Sequence, residues 1–376
     1  DRLPFSGTVG AGDAAVPGRQ RHEINGGNMR AEIGHSRPPF ALQDQDDRNA
    51  TPLDDEIVGD PVVIVFDCSA PGQNAENSVD LLRAVAGLHA RLGSIVAPIF
   101  VISRLAVAEN AALAMTENIP FRLLSDVDGK VFALYGVESP GAQPASVVLD
   151  PNGRVVLINE DIDTAEQIDR ILACLQGLDS RRPRGSLGAH PPVLVLPNAM
   201  DPDICTRLIE RWHEPVPLYE GDGKQSIGIN VEKGDVKVRN DAYGNVTQYD
   251  LRDPELSQEL ANRVLRRVVP EIEKAFGYSP QRREDYRIAC YDVAEGGSLP
   301  AHRDNPTEQT RHRRFTVSIN PNNASFEGGE LVFREWSDHL YDIEEGMAVA
   351  WSCSLLHEVM PITKGRRFIL GTHLFG

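Results

Sequence analysis

The stretch 177–190, which runs into Pro191 and Pro192, is rich in Gly, Ser, Arg and Pro and separates two regions of different hydrophobic pattern. Upstream, strand-length apolar runs alternate with helical stripes. Downstream, from Tyr286 onward, nearly every apolar run is short and bounded by Gly, Pro or Asn. A change of period across a stretch with no period of its own demands two separately cored units. A length of 376 residues fits that division. The sequence therefore divides into a mobile leader (1–32), an α/β unit (33–176), a linker (177–190) and a second unit (191–376).

In the first unit, Val62-Val63-Ile64-Val65-Phe66 is a continuous β-branched run, as expected of a strand buried on both faces. A helical stripe over 77–92, a second apolar run over 95–102, a helix over 106–117 and a short one over 131–135 follow. Two apolar runs flank Asp150-Pro151-Asn152-Gly153, a hairpin signal, and an amphipathic helix over 165–175 closes the unit. In the second unit, Asp201 caps a helix through Trp212. The stripe from Glu255 to Phe276 is interrupted at Pro270, which either kinks one helix or opens a second. Strands are predicted over 286–293, 314–319, 329–334, 347–351 and 367–374, an all-β sandwich or jelly roll.

Chemistry concentrates in this second unit. His302 and Asp304 are two residues apart, so in an extended segment their side chains point the same way, ~7 Å apart, and can converge on one ion. His357 must come from a distant strand. Two imidazoles and one carboxylate suit a non-haem iron(II) site with open positions, and also a zinc hydrolase site. The arginine ten positions after His357 separates the two, because Arg367 offers a planar fork to a second, anionic ligand. Strand alternation sends the neighbouring Arg366 to the opposite face and aims Ile369, Gly371 and His373 inward with Arg367. His373 is thus a substrate-side candidate, or a structural histidine. Gly328 and Gly329 read as a tight turn, and the polar segment 236–245 as either a substrate-covering loop or an ordinary surface loop.

The order "HRDNP", "RFTVSINPN", "FEGGELVF", "GMAVAWSCSLLHEVMPITKGRRFIL" resembles the prolyl-hydroxylase-like branch of the 2-oxoglutarate- and iron(II)-dependent dioxygenases, over about 191–376. The resemblance implies a double-stranded β-helix, a form of jelly roll, with flanking helices. It implies iron(II) on His302, Asp304 and His357, 2-oxoglutarate chelating that metal and pairing with Arg367, oxygen as co-substrate, and ascorbate as a supporting reductant. Tyr291 is similar to a pocket tyrosine of the family. Ser318 stands where some relatives carry a tyrosine on the 2-oxoglutarate carboxylate, and Thr316 on the same face offers a second hydroxyl. The implied reaction is hydroxylation of a C–H bond, of a prolyl residue in a peptide or protein or of a small metabolite.

The upstream unit carries "RPPFALQDQDDRNATPLDDEIVGDPVVIVF", "LLSDVDGKVFALYGV" and "PASVVLDPNGRV", and over about 33–176 it resembles a peroxiredoxin-type thioredoxin fold. In that family a proline at the place of Pro144 often takes the cis form. Cys68 lies near the position of the peroxidatic cysteine, but the preceding Pro and Thr of the family's Pro-x-x-x-Thr-x-x-Cys pattern are absent. No resolving cysteine is evident, and Asp67 beside it opposes a thiolate. Two roles follow for this unit: a thiol peroxidase acting through Cys68 beside an inactive barrel, or a docking and dimerisation module beside an active one, the latter implying a homodimer.

A net charge of −17 argues against a nucleic-acid backbone as partner. Arg311-His312-Arg313-Arg314 and Arg181-Arg182-Pro183-Arg184 read as solvated charge. No run reaches the ~18 apolar residues of a membrane helix, and no membrane partner is expected. Five widely spaced cysteines without a C-x-x-C fit a reducing, cytoplasmic setting. The chain opens on Asp1 rather than methionine, which leaves open whether a segment precedes it, and nothing present resembles a signal peptide.

Overall fold

A computed structural model of the chain describes residues 22–23, 31–52, 57, 59–69, 75–137, 143–181, 189–220, 237–240, 245–322 and 326–376. Val62–Phe66 is an interior strand of the first sheet and is buried along its whole length. It runs parallel to Ile99–Ser103, which runs parallel to Arg122–Ser125. On its other side it pairs antiparallel with Ala145–Leu149, which forms a hairpin with Val155–Asn159. Leu42–Asp44 and Asn49–Ala50 complete the far edge.

Alternation along the central strands sends Ile64, Phe66, Phe100 and Ile102 to one face, against Phe132 and Tyr135. Val63, Val65 and Val101 go to the other, against Leu82, Val85, Leu88 and Ile171 of helices Ala75–Arg91 and Thr164–Arg181. Both faces are covered, which is why the sequence shows an unbroken apolar run there. At ~1.5–3 kcal/mol per large buried side chain, these two layers outweigh the unit's surface ion pairs, worth ~0–1 kcal/mol each.

The second unit holds two sheets. Among the described residues the larger has eleven strands, and its main path runs Leu218–Glu220, Lys237–Asn240, Val246–Asp250, Arg287–Asp292, Ile362–Phe375, Phe315–Ile319, Ala348–Ser352, Val193–Leu196. The smaller runs Leu299–His302, His357–Val359, Leu331–Val332, Leu340–Tyr341. One face of the large sheet packs on helices Pro202–His213, Pro254–Arg267 and Val269–Phe276 through Leu208, Leu260, Ile272, Val317 and Leu370. Its other face meets the small sheet through Tyr291, Leu331, Phe333, Val349, Trp351 and Val359. At Pro270 the chain starts a new helix: Val268 closes one helix and caps the next, with the proline in the first turn.

The two units meet across a polar joint. Arg154, at the hairpin turn, is 2% exposed. It donates to the carbonyls of Pro197 and Arg267, and its Nε lies 3.3 Å from Glu271. Lys274 reaches back to the carbonyl of Asn152 at 3.3 Å, and Arg263 reaches Glu32 at 3.5 Å.

Several sequence expectations need correction. The leader contains a short strand, His22–Glu23, paired with Arg282–Arg283. The closing helix continues to Arg181, past the expected end near 175, because its stripe extends through Leu175 and Leu178. Among the described residues no peptide bond is cis, so Pro144 is trans. Arg313 is 4% exposed, so the Arg311–Arg314 cluster is not wholly solvated. Residues 182–184 of the other basic cluster, and half of the segment 236–245, lie outside the described residues; Lys237–Asn240 of that segment is a strand.

Candidate active site

A cavity of about 130 Å³ lies between the two sheets of the second unit. His302 ends one edge of the small sheet, Asp304 follows in the connecting turn, and His357 opens the neighbouring strand, paired directly with His302. The potential ligand atoms of these three side chains all lie within 4.8 Å of one another. His302 Nε2 is 3.4 Å from Asp304 Oδ1, and His357 Nε2 is 3.6 Å from Asp304 Oδ2.

The backbone fixes which nitrogen faces inward. His302 Nδ1 lies 2.8 Å from the Pro300 carbonyl, and His357 Nδ1 lies 3.0 Å from the Leu355 carbonyl. A carbonyl only accepts, so each Nδ1 carries the hydrogen and each Nε2 keeps a lone pair for the centre. Burial works to raise the Asp304 carboxyl, but the facing His357 and His302 outweigh it and hold the group well below the usual carboxylate range. Burial also lowers the His357 imidazole, which favours its neutral form.

Arg367 enters the same cavity from the long strand Ile362–Phe375, opposite Tyr291 on the adjacent strand. It is 4% exposed. Its Nη1 donates to the carbonyl of Gly329, its guanidinium sits 5.8 Å from the Phe326 ring centroid, and its Nε has no hydrogen-bond partner. Among the described residues no carboxylate lies within ion-pair distance of it, and burial lowers its pKa. A buried guanidinium in that state is incomplete without an anion. Arg366 points to the opposite side, half-exposed and paired with Asp292. Gly328 and Gly329 both have positive φ, 82° and 78°. A Cβ on Gly329 would strike Ile362 Cδ1 and press on Arg367 Cδ, so this turn also shapes the arginine's seat.

The remaining expected residues fall around this centre. Tyr291, Ser318, Ile369, Gly371 and His373 all line the cavity. Burial pushes the Tyr291 phenol up to about 12, so it stays a neutral hydroxyl. Thr316 lines the cavity too, but its hydroxyl donates to Asp304 Oδ2, 2.5 Å away, which leaves Ser318 as the free-standing hydroxyl of that strand's inner face. His373 bonds Glu284 at 3.2 Å through Nδ1 and brings Nε2 to 4.0 Å from Asp304. Glu284, Arg287, Gln248 and Trp351 also line the cavity and were not foreseen. Trp351 packs edge-on against His357 at 4.9 Å, and its indole N–H has no partner.

Cys68 stands apart from this site. It is 2% exposed within the core of the first unit, with Sγ 3.7 Å from the Phe66 carbonyl. Burial, with Asp67 adding to it, pushes the thiol up to about 11, the reverse of what a peroxidatic cysteine needs. All five cysteines are unpaired, and among the described residues no helix is long and apolar enough to cross a membrane.

Comparison with known proteins agrees with both halves of this description. Residues 286–374 match the family model of the 2OG-Fe(II) oxygenase superfamily, and residues 33–158 match that of the AhpC/TSA family. No curated protein matches the chain. Among solved structures, peroxidoxin BcpB from Mycobacterium tuberculosis is 22% identical, covering 40% of this chain and 99% of its own, with a TM-score of 0.34. A PrxQ mutant from Xylella fastidiosa is 16% identical over 40% of this chain and 98% of its own, with a TM-score of 0.35. The thiol peroxidase from Chromobacterium violaceum is 21% identical over 40% of this chain and 89% of its own, with a TM-score of 0.34. The thioredoxin-like character of the first unit rests on the AhpC/TSA match and on its α/β sheet. The chain thus joins an AhpC/TSA-like unit to a unit similar to the 2OG-Fe(II) oxygenase superfamily.

Proposed function

We propose that the second unit, 191–376, is an iron(II)- and 2-oxoglutarate-dependent dioxygenase that hydroxylates a C–H bond, built on a double-stranded β-helix. The observation that carries this reading is the buried, anion-deficient Arg367 in the same cavity as the His302–Asp304–His357 cluster. A zinc hydrolase would use the three ligands but has no need of that arginine. The donor set fits the metal, because two imidazoles with Nε2 turned inward and one ionised carboxylate leave adjacent positions open. It also fits the co-substrate, because a guanidinium fork can hold a carboxylate at two points.

In this reading His302, Asp304 and His357 hold iron(II), Arg367 binds the distal carboxylate of 2-oxoglutarate, and Tyr291 and Ser318 supply hydroxyls along its length. When bound, iron and 2-oxoglutarate would let oxygen serve as the oxidant, with 2-oxoglutarate oxidised to succinate and carbon dioxide, one oxygen atom ending in succinate and the other in the substrate hydroxyl. The protein's own part is orientation and exclusion of water. Leu299, Leu331, Val349, Trp351 and Ile369 give the cavity apolar walls. Ascorbate keeps the metal reduced. The substrate is a prolyl residue in a peptide or protein, or a small metabolite, and it enters beside His373.

Succinate formation from 2-oxoglutarate should require iron(II) and disappear in His302→Ala and Asp304→Ala. Full turnover in either variant rules the proposal out. Mass spectrometry of candidate peptides and metabolites for a gain of one oxygen identifies the substrate.

For the first unit, 33–176, the favoured role is docking or homodimerisation. The AhpC/TSA match supports a peroxidase alternative, and the buried, high-pKa Cys68 counts against it. The unpaired cysteines support a cytoplasmic setting.

A further inference from the structure

We propose that Glu284 is a positioning residue for Asp304, acting through Arg313 and His373; this rests on the reading of Asp304 as a metal ligand. Asp304 lies in a turn just past the strand Leu299–His302, so its placement depends on contacts from other segments. Its N–H donates to the Cys353 carbonyl at 3.0 Å, and its own carbonyl accepts from Arg313 Nη1 at 3.0 Å. The same Arg313 grips Glu284 with two parallel bonds, Nε to Oε1 at 2.9 Å and Nη2 to Oε2 at 2.8 Å. His312 adds a bond to Oε1 at 2.9 Å and His373 one to Oε2 at 3.2 Å.

Glu284 is itself stitched to the long strand. Its N–H donates to the His373 carbonyl at 2.9 Å, and its carbonyl accepts from Thr372 Oγ1 at 2.8 Å. The carboxylate therefore ties the loop after Asp304 to the strand that carries Arg367. Arg313 and Glu284 are both nearly buried, with side chains 5% and 11% exposed, so the fork has little solvent to compete with it. His373 Nδ1 faces an acceptor, and its Nε2 lies 4.0 Å from Asp304 Oδ1, while Thr316 holds Oδ2.

Glu284 touches no proposed ligand atom, so its effect should appear in metal affinity before it appears in chemistry. The test is titration of the metal-free full chain with cobalt(II), read by the d–d absorption bands, alongside thermal melting. Glu284→Gln leaves Arg313 in place but unneutralised. Arg313→Lys keeps the charge against Glu284 and withdraws the arm from the Asp304 carbonyl, so it serves where Glu284→Gln does not fold. Each should weaken cobalt(II) binding roughly 10–100-fold and alter the d–d bands. Unchanged affinity and bands with only a lower melting temperature would show a merely structural role and overturn the inference. Failure of the unsubstituted protein to bind cobalt(II) would instead overturn the metal-site reading beneath it.

Discussion

Arg154 and Glu271, one on the hairpin of the first unit and one on a helix of the second, form an ion pair at 3.3 Å with side chains 3% and 9% exposed. Removing one partner of such a pair leaves a charge buried without its counterpart, at a cost of about 3–5 kcal/mol. Lys274, 3.2 Å from Glu271 but half-exposed, offsets part of that. Arg154→Met should therefore destabilise the chain by about 3 kcal/mol and split its denaturant unfolding into two transitions. A single transition at the original midpoint would show that the joint contributes nothing.

Arg367→Gln should weaken 2-oxoglutarate binding at least ~100-fold, about 2.7 kcal/mol, because the carboxylate loses a charged, two-point partner in a buried site. Arg366→Gln, whose partner is the surface-facing Asp292, should change it less than about twofold. Calorimetric titration of the manganese-loaded protein measures both. Gly329→Ala should move in the direction of Arg367→Gln, since the new methyl displaces the arginine's seat.

Cys68 should be inert. With its thiol near 11, the thiolate fraction at pH 8 is roughly one part in a thousand, and it rises tenfold per pH unit up to that value. Iodoacetamide at pH 8 should leave Cys68 unmodified in the native chain and label it in urea, as read by peptide mass spectrometry. Rapid labelling of the native protein would restore the peroxidase reading.

Acid should unfold the metal-free protein early. Asp304 and Glu284 are both held below the usual carboxylate range, Glu284 by hydrogen bonds from His312 and His373 and by Arg313, which together outweigh burial. The unfolded chain therefore takes up protons on these groups first. Their stabilisation is fully present above ordinary carboxyl values near pH 4 and is lost as pH falls toward their depressed folded values, at up to about 1.4 kcal/mol per pH unit for each group. Urea midpoints measured from pH 6 down to pH 3 should fall throughout, because the buried His357 and His373 are also held below the ordinary imidazole value, and most steeply below about pH 4, with a shallower low-pH fall in Glu284→Gln.

The parts of this protein that were legible in sequence are those encoded locally. Val62–Phe66 declared its double burial by composition, the Asp150–Gly153 turn declared its hairpin, and His302 with Asp304 declared a shared direction by spacing alone. Alternation also separated Arg366 from Arg367. Glu284 was not legible: it sits in a run of charged residues, and its partners lie 28 to 89 positions away. Arg313 looked like solvated charge because nothing local shows that a distant carboxylate covers it. Two-residue strands such as Leu340–Tyr341 carry too little sequence to show a period, and the Arg154 joint exists only once both units are folded.

The strand Ile362–Phe375 presents Arg367, Ile369, Gly371 and His373 to the cavity, while Phe368, Leu370 and Leu374 pack into the opposite core. It therefore behaves as a ruler with two printed sides. Substitutions along it can be absorbed one at a time, but a single inserted or deleted residue between 367 and 373 turns every later side chain over, exporting apolar groups and importing the wrong ones. This segment should tolerate changes of residue and refuse changes of length, which makes it the poorest place in the chain for a tag, a graft or a circular break.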